Sequence, residues 1–190
     1  MRIHRAISWL ARSEQETDDA DARFIFQWIA LNAVYAQAFV DVTERERARR
    51  FIDTLVALDT ERRLHDALFH QFTGPIRTLL DNRFVFEPFW IALREHDSSD
   101  RWQRQFTASR KAALAAVMQG DTATVLSVVF DRLYVLRNQL VHGGATWNSQ
   151  VNRGQVRDGV AILAVLVPVV IAVMLEHPQV GFGDVLYPVV

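Results

Sequence analysis

The chain has 190 residues, half of them apolar, which suits one domain over 1–190 with a single continuous core and excludes a multidomain machine. It holds no cysteine, so disulfides, thiolate metal sites and a cysteine nucleophile are excluded and packing must hold the fold. The formal charge is −1 and all but Lys111 of its basic residues are arginine, so the usual electrostatic signature of a general nucleic-acid binder is missing and any such contact must be local.

The start Met1-Arg2-Ile3-His4-Arg5 is charged, but Ala6 to Leu10 is too short for the apolar region of a signal peptide, and a cytoplasmic location is expected. Glycine and proline are sparse, hairpin punctuation is missing and apolar positions recur at three and four, which predicts an all-α chain. From Asp21, Phe24, Trp28, Leu31, Tyr35 and Phe39 give one apolar helix face, widened by Ile25, Ile29 and Val34. Thr43-x-x-Glu46 matches a capping box and opens a helix that buries Phe51, Leu55 and Leu58. Its Arg45, Arg47, Arg49 and Arg50 alternate with Glu44, Glu46 and Asp53, as on a solvated face rather than an RNA patch.

Thr60 to Phe72 reads as a further helical stretch stopped by Gly74-Pro75, with a short turn from Pro75 to Asn82. It carries His65, Asp66 and His70. On an α-helix, five-residue spacing sets the two rings roughly 140° apart, so no metal site is expected. Phe84 to Arg94 is aromatic-rich, and Ser98-Ser99-Asp100 caps the most basic helix, Arg101 to Met118. Gly120-Asp121 then breaks the chain. A helix from Thr122 carries Val125, Val128, Val129, Leu133 and Leu136 towards His142-Gly143-Gly144, and the final helix starts near Asn148 or Ser149 and ends before Pro178. Val160 to Leu175 is free of charge. At roughly 24 Å it falls short of a hydrocarbon core and contains Pro168, so a buried core helix is expected over a membrane anchor.

One segment mixes chemistry into an apolar helix end: Leu133-Tyr134-Val135-Leu136-Arg137-Asn138-Gln139-Leu140-Val141-His142-Gly143-Gly144. Asn138 and His142 are four apart and share a face, which Tyr134 and Asp131 continue. Arg137 points about 100° away from Asn138, yet its long stem lets the guanidinium swing to a phosphate between the two faces. Gly143 as the C′ residue puts His142 in the last turn. A structural alternative is that Asn138 and His142 only satisfy buried backbone groups or fasten the final helix.

The run Arg137 to Gly143, on the penultimate long helix before a very apolar last one, resembles the HEPN superfamily and its Arg-x4-6-His motif. Phe24 to Tyr35 is similar to the first core helix of Apea-like members. The resemblance implies a HEPN-like helical bundle that dimerises with its motif helices facing each other. It also implies a metal-independent endoribonuclease of toxin or phage-defence type, with no cofactor, RNA as substrate and Arg137, Asn138 and His142 as catalytic residues. An antitoxin or defence-system partner would follow, although Gly143-Gly144 stand where His-x-Tyr members carry the tyrosine that an antitoxin modifies. Two other readings use the same residues: a non-catalytic dimerisation or nucleotide-binding module, and a membrane-tethered protein anchored by Val160 to Leu175.

Overall fold

A computed structural model of the chain describes residues 1–36 and 43–183, and among them all regular structure is helical. Helix α1 covers Arg2–Glu14 and packs along α2, Ala20–Tyr35. Asp19 caps α2, its carboxylate accepting from the N–H groups of Asp21 and Ala22. Phe24, Trp28, Leu31, Val34 and Tyr35 are buried as the apolar spacing requires, while Phe39 lies outside the described residues. Helix α3, Glu44–Leu58, opens as the capping box predicts, with Thr43 Oγ1 accepting from Glu46 N–H at 3.2 Å. Its arginines are largely neutralised: Arg50 pairs with Glu46, and Arg45 and Arg49 reach Glu87 and Asp131.

The stretch after Asp59 departs from the sequence expectation. Only Arg63–Asp66 is α-helical (α4), and Ala67–Gln71 winds as a π-helix before α5, Thr73–Asp81. Gly74-Pro75 sits in the first turn of α5 instead of ending a helix, because proline's missing N–H is one of the donors that a first turn leaves unused. A 3₁₀ turn, Arg83–Val85, leads to α6, Glu87–Arg94, and α7, Arg101–Gln119, whose first N–H is met by Ser99 Oγ.

Helix α8, Thr122–Val141, lies where the sequence puts it, capped by Asp121 at one end and followed by Gly143 with φ +70° at the other. Helix α9, Arg153–Glu176, begins later than expected because residues 144–152 form a loop. Pro168 does not break α9. Its position is exposed, so the carbonyl one turn earlier, deprived of a backbone donor, is left on the outer side. At 24 residues α9 is long and apolar enough to cross a membrane by length and composition alone, which corrects the estimate from its charge-free stretch. Half of its most apolar window is buried in the bundle, where Ile162, Leu166, Val170 and Val173 face α2, α3, α5 and α8.

Among the described glycines, Gly159 is the most tightly enclosed. A Cβ there would stand 2.7 Å from Phe24 Cε2 and 3.2 Å from Leu133 Cδ2, so α2, α8 and α9 meet only because this residue has no side chain.

Candidate functional site

The last two turns of α8 carry the motif, and the packing of α8 decides which of its faces is open. Leu133 and Leu136 point into the core. Arg132 is 3% exposed and lies between Phe86 and Phe106, its Cζ 4.6 and 5.6 Å from the ring centroids. Burial lowers its guanidinium to about 10, still a cation at neutral pH. This cation–π sandwich fixes α8 against the segment that carries α6 and α7.

On the opposite face a chain of charged and aromatic groups runs along the helix. Asp131 lies 3.5 Å from Arg45 and 3.9 Å from Arg49; burial pushes its carboxyl above the ordinary value, against the pull of both arginines. The Tyr134 ring has the Arg45 and Arg137 guanidinium groups at 5.8 and 5.6 Å from its centroid. Arg137 also lies 5.9 Å from the Trp28 ring and donates from Nη1 to Asn138 Oδ1 at 2.8 Å. Arg137 and Asn138 thus form one hydrogen-bonded unit. Among the described residues no carboxylate lies within ion-pair distance of Arg137, so its charge is cradled by rings and an amide oxygen rather than neutralised.

His142 closes α8, its backbone N–H bonded to Asn138 O at 3.0 Å, and its ring is exposed. Its side chain forms no hydrogen bond with Arg137 or Asn138 among the described residues. Neither Asn138 nor His142 fastens the final helix: the Asn138 amide oxygen is taken by Arg137 and the imidazole stands in solvent.

A different set of residues fastens the segment after His142. Trp147 Nε1 donates to Asp19 Oδ2 at 2.9 Å, while Asn148 N–H and Arg153 Nη2 both donate to Asp21 Oδ2 at 2.8 Å. Hydrogen bonds from Ala22 N–H and the Trp147 indole hold the Asp19 carboxyl below its ordinary value. The Asp21–Arg153 pair is largely buried, with 7% and 15% of the side chains exposed. Arg153→Ala should therefore cost about 3 kcal/mol in urea unfolding, because Asp21 is left buried with one backbone donor. A loss within a few tenths of a kcal/mol would show that the pair is screened by water.

A cleft of about 360 Å³ opens at the end of α8, where Leu136, Gln139 and Gly144 line it while Arg137, Asn138 and His142 do not. Its wall combines the Phe84 and Trp90 rings with the amides of Asn82, Gln139, Asn152 and Gln155. Gln139 Nε2 and Trp90 Nε1 both donate to Phe84 O, at 2.6 and 2.7 Å. An adjoining depression adds Arg77 and Arg83. Sequence reasoning left out Trp28, Tyr134 as a cation platform, and this cleft. The only local signal was the density of aromatics between Phe84 and Trp90. No protein-family model matches the chain, and no curated protein or solved structure matches it significantly.

Proposed function

We propose that the chain is a metal-independent endoribonuclease that acts as a homodimer, with two copies of Arg137, Asn138 and His142 lining one cleft across a two-fold axis. The observation that carries this reading is the Arg137 guanidinium, which has no carboxylate partner among the described residues and is held by Asn138 and two aromatic faces about one turn from an exposed imidazole. In the reaction the RNA 2′-hydroxyl attacks the adjacent phosphorus, the bond to the 5′-oxygen breaks, and a 2′,3′-cyclic phosphate and a 5′-hydroxyl result. Arg137 stabilises the added charge on the phosphorane and His142 carries a proton to or from the reacting oxygens. The aromatic and amide wall beside Gln139 suits an unstacked base, since rings accept its face and amides its edges. Exposed apolar side chains flank the motif at Val141, Trp147 and Val151, which supports burial of this end of α8 against a second copy. The similarity of the motif helix and of Phe24 to Tyr35 to HEPN proteins supports the same reading, with a cytoplasmic toxin or defence role.

The test is direct. Purified protein in excess EDTA should cut single-stranded RNA, leave 2′,3′-cyclic ends and spare the matching DNA, which lacks the attacking hydroxyl. Intact RNA together with a stable dimer would favour a non-catalytic dimerisation module instead. Light scattering that shows a monomer at tens of micromolar, on the order of assay concentrations, would remove the composite site.

A further inference from the structure

The π-helix at Ala67–Gln71 changes the relation between His65 and His70. On an α-helix these two positions diverge, but a π-helix spreads one turn over more residues, so an i, i+5 pair returns to one face. The rings stand 5.8 Å apart with Asp66 between them. Asp66 Oδ1 is 3.5 Å from His65 Nδ1 and 3.3 Å from His70 Nδ1. One ligand atom from each of the three side chains lies within 4.8 Å of the other two.

These separations have a chemical meaning. A tetrahedral zinc-type ion with donors at about 2.0–2.2 Å has donor–donor edges of about 3.3–3.6 Å, which two of the three edges already match. The third edge, between the imidazoles, needs to shorten, and His70 is exposed enough to rotate inward. His65 is fixed for the role: its ring packs on Phe69 at 4.5 Å and its Nε2 edge lies against the turn at Gly120, which directs Nδ1 to Asp66. That Nδ1 is buried and makes no hydrogen bond among the described residues. An acceptor or ligand atom withdrawn from water with nothing bonded to it is costly unless a partner arrives.

We infer that His65, Asp66 and His70 form a binding site for a zinc-class divalent transition ion, with a fourth position open to water. Two nitrogen donors and one carboxylate select zinc, cobalt or nickel over magnesium and calcium, which require oxygen shells. The π-helix is what presents the ligands, so the ion in turn holds that helix in place. The site is independent of the proposed ribonuclease chemistry. His65 abuts the turn before α8, whereas His142 ends α8, and a 20-residue helix separates the two by about 30 Å.

The probe is Co(II), whose visible d–d absorption reports coordination geometry. Untagged full-length protein, stripped with EDTA and freed of chelator, should take up one Co(II) per chain with the intense absorption of a tetrahedral site. Zn(II) should displace it and excess Mg(II) should not. His70→Ala and Asp66→Asn, both at exposed positions, should each weaken Co(II) binding at least about tenfold, while His4→Ala on α1 leaves it unchanged. Absence of the absorption with wild type, or binding that survives both His70→Ala and Asp66→Asn, would overturn the site. RNA cleavage in EDTA is unaffected by either result, so this site and the ribonuclease reading fail separately.

Discussion

His142→Ala is expected to lower the rate of RNA cleavage by about 10²-fold or more, the usual scale for a lost general acid or base. The ring is exposed, so the melting temperature should stay where it is. Arg137→Lys should also be impaired although it keeps the charge, because an ammonium cannot grip phosphate at two points or spread over the Trp28 and Tyr134 faces. The measurement is the rate of 2′,3′-cyclic end formation, with circular dichroism on each variant. Cleavage that persists in His142→Ala, in protein free of contaminating nuclease, removes His142 from the chemistry.

The largest expected effect on stability comes from Gly159→Val. The new side chain would enter space already filled by Phe24 and Leu133, which are 0% and 1% exposed, so α9 must lift from both α2 and α8. Overpacking of this kind costs about 1–3 kcal/mol, and a β-branched group held 2.7 Å from a buried ring belongs at or above the upper end. Gly159→Ala is the informative companion. In an open helix it would gain about 1 kcal/mol from helix propensity, whereas here the clash should outweigh that gain and lower the melting temperature. Phe24→Leu should restore part of the loss, since it removes the ring edge that the new methyl meets. A stabilised Gly159→Ala would mean that α9 does not rest on Phe24.

Where local chemistry governs, the sequence was a good guide. The bounds of α8 follow from an aspartate that caps its own helix and a glycine that leaves it with positive φ, both within four residues of the ends they set. The apolar spacing from Phe24 to Tyr35 likewise names the buried face of α2. Long-range contacts were invisible. Asn148 and Ser149 have the composition of helix caps, but Asn148 N–H is held by Asp21 of α2, so α9 starts at Arg153. The meeting of His65 and His70 could not be read because helical spacing assumes 3.6 residues per turn, and the local winding that joins them carries no marker in composition. Of the candidate site, the pairing of Arg137 with Asn138 was within reach of sequence reasoning. The Trp28 face was not, since its partner lies across the core on another helix.

The clamp between the start of α2 and the loop after His142 also determines how this end of the molecule breathes. Asp19 both caps α2 and holds the Trp147 indole, and Asp21 receives the Asn148 amide and the Arg153 guanidinium. Loosening the loop therefore strips partners from two carboxylates in the first turn of a core helix, and fraying that turn releases the loop. In the language of native-state amide exchange the two segments form one cooperative opening unit, although more than 120 residues separate them along the chain. The rim of the Gln139 cleft then opens at the free energy of a helix end in the core, well above that of an untethered surface loop.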